Sequence, residues 1–403
     1  MIEIKDLKKC CGCTACENIC PTKSITMIEK EDGFKYPKVD LKTCINCNLC
    51  EQVCQFYQKN ESILGEGNPK AFVMQNLNSK VRRESTSGGI FTLVAEQFVE
   101  NNGVVYGAAF DDSFEVKHVI ADGKNELKKF RGSKYVQSDL GHIFKDVREK
   151  LETGIPVCFS GTPCQVEGLH RFLRKKYENL FTVDLVCRGV PSPKLYKSYL
   201  NYQEKKNNSK VTYLHFRDKY LGYNGSTMTI NFENGNSYHK GVAVDPYLNA
   251  FFSGLSARSS CFNCQQNNLK RSSDITLFDC WSVGQFNKSM DDDKGTTAVL
   301  VHTKKGIDMV NRISKFSNII SVDVNELINL DGDMIFNLPI MHKNNIEMLS
   351  KTNMENFEEI EKKYINISMF SKLRSVIKPI FYKLGVFNVY MKIKKRIKKE
   401  EYQ

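Results

Sequence analysis

A chain of 403 residues, 41% hydrophobic and 26% charged, has room for two or three domains with a sizeable core and is too apolar to be disordered. Its formal charge of +12 is local: residues 371–399 hold ten Lys and Arg and no acid, which leaves only +2 for everything else and argues against nucleic acid as a partner. No apolar run reaches the roughly 18–20 residues that span a bilayer, and the polar start leading to Cys10 is no signal peptide, so a cytoplasmic location is expected.

Fifteen cysteines in a reducing compartment need a reason other than disulfides, and nine of them fall in the first 54 residues. Cys10, Cys13, Cys16 and Cys20, followed by Pro21, spell C-x2-C-x2-C-x3-C-P. Cys44, Cys47, Cys50 and Cys54 repeat the spacing, with Gln55 where the proline would stand. Three thiolates two residues apart wrap one face of a cubane, and a distant fourth closes it, crossing over in two-cluster ferredoxins. Cys54 is therefore expected with Cys10, Cys13 and Cys16, and Cys20 with Cys44, Cys47 and Cys50. Zinc favours two separated Cys pairs instead. Cys11 fits neither register and reads as a bystander.

Residues 1–57 thus predict a ferredoxin-like domain for two 4Fe-4S clusters, and 58–70, polar with Gly, Asn, Glu and Pro, reads as a linker. Next come a helix over 87–99 opened by Ser-Gly-Gly, strands over 103–109 and 114–120, and a turn at Asp111-Asp112-Ser113. Short apolar runs at 156–159 and 180–186 read as buried strands, with a helix over 165–176 between them. Residues 71–150 and 151–322 are assigned to two parts of one core, and 323–403 to a helical extension with a basic tail. The fold class expected is α+β, with a mixed α/β core.

A second cysteine set lies in the body. Cys164 and Cys187 end the two buried strands, where they would share the ligand-binding edge of an α/β sheet if the strands are parallel. Cys261 and Cys264 form a Cys-x-x-Cys loop. Spacing alone leaves two readings open: one four-thiolate site, or a zinc clip on Cys261 and Cys264 with the other two buried. Cys158 and Cys280 read as core, and His170 as structural.

Six segments in order carry a resemblance: Ser85-Thr86-Ser87-Gly88-Gly89, Phe130 to Ser138, Phe159 to Gln165, Cys187 to Pro193, Cys261-Phe262-Asn263-Cys264 and Ser273 to Leu277. Together with the paired cysteine blocks they resemble the coenzyme F420 hydrogenase/dehydrogenase beta-subunit family, in the form with an N-terminal dicluster ferredoxin domain. The likeness spans residues 1 to about 285. It implies an FAD-dependent electron-transfer protein with a third 4Fe-4S cluster beside the flavin, and so makes Cys164, Cys187, Cys261 and Cys264 cluster ligands. Phe278 and Ser282 depart from it, standing where glycines are expected around Asp279 and Trp281.

Under that resemblance, Ser87, Gly88 and Gly89 offer a helix entry for a flavin phosphate, and Gly161 and Thr162 offer turn amides beside Cys164. Lys134 supplies a cation, and Gln137, Ser138 and Gln165 supply hydrogen bonds to the ring edge. Without it, a plain helix entry and a solvated lysine explain the same residues. The expectation is an iron–sulfur flavoprotein oxidoreductase between a low-potential donor such as ferredoxin and a small organic acceptor, coenzyme F420 among the candidates. The alternative is an electron-delivery subunit of a separate enzyme. No protein nucleophile or acid–base pair is evident. The basic amphipathic stretch at 371–399 can lie peripherally on an anionic membrane, dock on a partner or cap the core.

Overall fold

The computed structural model describes residues 1–58 and 68–386. Most of the expected linker, residues 59–67, and the tail beyond residue 386 lie outside the described residues.

The N-terminal module carries an antiparallel hairpin of β1 (Ile25–Glu29) and β2 (Lys35–Val39), with a short helix Ala15–Ile19 before it and another, Leu49–Gln52, after it. The body is built on an eight-stranded mixed sheet, in the spatial order β13-β3-β12-β11-β7-β6-β4-β5. Its strands are β3 (Lys70–Asn76), β4 (Val104–Phe110), β5 (Val116–Ala121), β6 (Val157–Ser160), β7 (Leu180–Leu185), β11 (Ile275–Asp279), β12 (Thr297–Val301) and β13 (Ser317–Val322). A separate antiparallel sheet orders β10 (Ser237–Lys240), β9 (Thr227–Phe232) and β8 (Val211–Asp218).

The central strands β4, β6 and β7 run parallel, as does β11 beside β7. β6 and β7 are joined by the helix Pro163–Leu173, so the expected strand–helix–strand unit is present. The β4–β5 turn forms because the Asp111 carboxylate accepts from the amides of Ser113 (3.0 Å) and Glu115 (2.9 Å), a local bond that competes with continued strand. Both faces of the sheet are covered. Phe144, Phe159, Phe172 and Leu169 pack with Ala15 and Val53 of the N-terminal module on one side; Val94, Val105, Phe181 and Val299 pack on the other. Cys158 and Cys280 are fully buried in these cores. What the sequence pattern did not reveal is β3, which starts just beyond the linker and inserts between β12 and β13.

The N-terminal module docks against the body. Phe34 and Tyr36 join the core of the small sheet with Tyr196, Tyr199 and Phe216. Arg258, 1% exposed, lies over the Tyr36 ring at 4.2 Å and donates to the carbonyls of Cys10 (2.7 Å) and Lys35 (2.9 Å) and to Gln137 Oε1 (2.8 Å). Arg258→Ala strands those buried acceptors and should cost about 3–5 kcal/mol, the usual range for breaking a buried charged network. Chemical denaturation should show it, and Arg258→Lys, without the planar fork, should recover only part.

Candidate metal and cofactor site

Each cysteine block folds as the same loop. Gly12 and Thr14 flank Cys13 with φ of +71° and +61°, and Asn46 and Asn48 flank Cys47 with +55° and +58°. Left-handed residues on both sides of the middle cysteine curl the backbone, so thiols two residues apart turn to one interior. The short helices that follow carry the fourth cysteine away to the other loop. Cys20 lines a small cavity with Cys44, Cys47 and Cys50, and Cys54 lies within electrostatic reach of Cys10, Cys13 and Cys16. The crossed pairing expected from the spacing is thus the arrangement in the fold.

The two quartets sit in different environments. Cys47 is exposed, whereas Cys16 is buried. Burial, with the neighbouring thiols adding to it, drives the Cys16 thiol well above its ordinary range and Cys54 to about 11. Such thiols resist ionisation alone, so the donor set fits a centre whose iron supplies the missing positive charge. Among the described residues no three Cys, His, Asp or Glu side chains converge tightly enough to share one metal ion.

The second cysteine set is also brought together. Cys164 opens the helix after β6, and Cys187 follows β7, on the same end of two parallel strands. The turn Ser259–Asn263 delivers Cys261 and Cys264 to them, so that Cys187 feels Cys261, Cys164 and Cys264 electrostatically. Gly189, at φ +103°, must be glycine here: a Cβ would stand 3.1 Å from that of Cys261. Its amide donates to Cys187 Sγ at 3.3 Å, and the Thr162 hydroxyl lies 3.2 Å from Cys164 Sγ. Burial pushes Cys261 up to about 12 and Cys264 to about 11. Four half-buried thiols gathered in one place, with the Gly189 amide directed at Cys187 and the Thr162 hydroxyl beside Cys164, fit one cluster. Cys11 Sγ accepts from Gln55 Nε2 at 3.2 Å and lies beside the Cys13 and Cys164 thiols, between two of the quartets.

Beside this third quartet opens a cavity of about 1320 Å³, into which Cys187 faces. Ser87, Gly89, Lys134, Ser138, Gly161, Thr162 and Gln165 line it; Gly88 and Gln137 do not. Gly88 is small because a Cβ would come within 2.6 Å of the Met74 carbonyl, and its amide donates to Thr297 Oγ1 at 2.8 Å. Gln137 donates to the Cys11 carbonyl at 2.9 Å and accepts from Arg258, so it clamps the cysteine loop. Gly89, at φ +77°, is the left-handed entry to the helix Ile90–Val99, whose first residues line the cavity. Gln165 caps its own helix by accepting from the Thr162 amide (2.9 Å) and donates to Ser138 Oγ (3.0 Å). Lys134 Nζ donates to the carbonyls of Lys129 (2.9 Å) and Arg131 (3.1 Å), and burial lowers it to about 7.

Several lining residues were not foreseen. Arg217 pairs with Asp279, which also accepts from Tyr223 Oη at 2.9 Å. Trp281 is held between the Arg217 guanidinium (4.7 Å) and the Tyr223 ring (4.2 Å). The two departures from the glycine pattern are accommodated: Phe278 packs in the core, and the Ser282 amide donates to Asp331 at 2.9 Å. The helix Met369–Lys383 crosses the cavity mouth with Arg374 and Lys378, the latter donating to the Gly225 carbonyl at 3.1 Å. His118 also faces the cavity, but burial lowers it to about 4 and keeps it neutral; His170, inside its helix, is lowered likewise.

Comparison with known proteins matches residues 9–57 to a 4Fe-4S dicluster domain and residues 156–326 to the C terminus of the coenzyme F420 hydrogenase/dehydrogenase beta subunit. No curated protein matches the chain. Among solved structures, a chain of the F420-reducing [NiFe] hydrogenase complex from Methanosarcina barkeri aligns at 18% identity and a TM-score of 0.46, over 68% of this chain and 91% of that one. Among the described residues no helix is long and apolar enough to cross a membrane. The chain thus carries a 4Fe-4S dicluster domain at residues 9–57 and, over residues 156–326, a region similar to the C terminus of the coenzyme F420 hydrogenase/dehydrogenase beta subunit.

Proposed function

We propose that the chain is an iron–sulfur flavoprotein oxidoreductase, holding three 4Fe-4S clusters and FAD, that passes electrons between a low-potential donor such as ferredoxin and a small organic acceptor. One observation carries this: three thiol quartets follow one another from the surface to the cavity. The Cys20, Cys44, Cys47 and Cys50 set is reachable from solvent through Cys47. The Cys10, Cys13, Cys16 and Cys54 set adjoins Cys164 through Cys11. The Cys164, Cys187, Cys261 and Cys264 set opens on the cavity through Cys187.

Bound clusters would supply single-electron steps, and FAD the conversion between single electrons and pairs. The residues around the cavity would do the binding. The amides that open the helix Ile90–Val99 suit a phosphate, and Lys134 adds a cation below about pH 7. Arg131, paired with Glu84, and Arg188, Lys240, Arg374 and Lys378 also line the cavity, while its acids are engaged: Asp279 by Arg217, Asp331 by Ser282 and Asp184 by Thr276 and Arg271. That balance suits an acceptor bearing carboxylates or phosphates, of which coenzyme F420 is one. A second reading, electron delivery to a separate enzyme, draws on the helix Met369–Lys383, whose Leu373 and Val376 are more than 60% exposed; such an apolar stripe suits a partner protein.

Protein purified without oxygen should contain about 12 iron atoms per chain, from three cubanes, and one FAD. About eight would remove the core cluster, and zinc without flavin would end the redox reading. The pH dependence follows from Lys134. Its folded pKa is lowered to about 7, so the cation is present below that pH and lost above it. Affinity for FAD or an anionic acceptor, followed by fluorescence titration, should therefore weaken as pH rises from about 6 to 8, and Lys134→Met should flatten that slope.

A further inference from the structure

Ferredoxin-like blocks place a proline after the fourth cysteine, and here Gln55 takes that position after Cys54. The side chain is not on the surface: it is 3% exposed and makes contacts that a proline could not. Its Nε2 donates to Cys11 Sγ at 3.2 Å and to the Cys164 carbonyl at 3.1 Å, and also reaches the Cys13 thiol. Its Oε1 accepts from Gln266, two residues past Cys264, at 3.3 Å. Gln55 thus touches a cysteine of the inner ferredoxin quartet and the loops of two cysteines of the core quartet. Cys11 sits in the same gap, with its thiol against both Cys13 and Cys164. Its carbonyl is held by Gln137 at 2.9 Å. On the far side of Cys13, Gly168 leaves no room for a Cβ, which would stand 2.8 Å from that of Cys13.

We infer that Cys11 and Gln55 form a hydrogen-bonded bridge between the inner ferredoxin quartet and the core quartet, setting the potentials of both and the ease with which an electron crosses between them. This rests on the three-cluster reading above. Cys10, Cys13, Cys16 and Cys54 would hold one centre and Cys164, Cys187, Cys261 and Cys264 the other, and a single electron exchanged between them would make or break no bond and move no proton. Hydrogen bonds to ligand sulfur favour the more negative, reduced state of a cluster and so raise its potential. The single Cys11 hydrogen is shared between Cys13 and Cys164, and Gln55 directs one of its own toward Cys13. Neither touches the outer quartet of Cys20, Cys44, Cys47 and Cys50. Both are positioning residues, acting through the ligands.

The test uses the full chain, reconstituted without oxygen, as wild type, Cys11→Ala and Gln55→Leu. Iron and sulfide are measured first, and an EPR-monitored titration with dithionite then gives the potential of each cluster. The bridge predicts full iron in all three proteins. In Cys11→Ala it predicts lowered potentials for the inner and core clusters, in Gln55→Leu a lowered inner potential, and in both an unmoved outer one. Unchanged potentials at full iron would overturn the bridge while leaving the three-cluster reading intact. Loss of about four iron atoms in Cys11→Ala would make Cys11 a ligand and overturn the bridge in another way. Should Gln55→Leu fail to assemble, Cys11→Ala alone decides. Only eight iron atoms in the wild type would overturn the reading beneath the proposal, and the proposal with it.

Discussion

A buried guanidinium holds the two ends of this protein's cofactor machinery together. Arg258 reaches from the body into the first cysteine loop, takes the Cys10 and Lys35 carbonyls, and rests on Tyr36. Electron transfer between protein-bound centres needs them close and fixed, and a flexibly tethered module would provide neither. A charge at 1% exposure is costly unless every hydrogen finds a partner, so this contact is stable in one geometry only. Its bonds to the Cys10 carbonyl and to Gln137, which in turn holds the Cys11 carbonyl, fix the first cysteine loop against the body.

Around that contact the body behaves as an α/β protein does. Parallel strands β6 and β7 end on the same edge, and the loops beyond them supply Cys164 and Cys187 and one wall of the cavity, while the expected amides of Gly161 and Thr162 are taken by the Val183 carbonyl and Gln165. Ligand sites gather there because loops at the carboxyl edge of a parallel sheet diverge and leave a crevice. The antiparallel additions β5, β12, β3 and β13 widen the sheet. The small sheet of β8 to β10 and the helix Met369–Lys383 add further walls to the crevice, with Arg217, Lys240, Arg374 and Lys378 among its lining. Exclusion of water there would strengthen each of those charges toward an anion.

The functional residues divide by what they spend their hydrogen bonds on. Gly88 and Gln137 look like cofactor ligands in a string of letters, yet Gly88 bonds Thr297 and Gln137 clamps Arg258 and the Cys11 carbonyl; Gln165 caps its helix while still lining the cavity. Conversely Arg217, ion-paired with Asp279, and Trp281, stacked between Arg217 and Tyr223, come together from two separate stretches of chain, and no local pattern marks them as a unit.

The sequence by itself determined the cysteine quartets of the N-terminal module, since metal-binding loops are local: a spacing of two or three residues dictates which thiols can turn inward, and the crossing follows from the short helix between them. It also determined the β4–β5 hairpin and the β6–helix–β7 unit, through an Asp-bounded turn and short apolar runs. Only the tertiary structure decided that Cys261 and Cys264 meet Cys164 and Cys187 across some 75 to 100 residues of chain, that β3 is threaded between β12 and β13, and that Cys11 and Gln55 lie in the gap between two quartets. Those placements depend on long-range packing and on buried polar groups finding partners, and neither leaves a periodic trace in the chain.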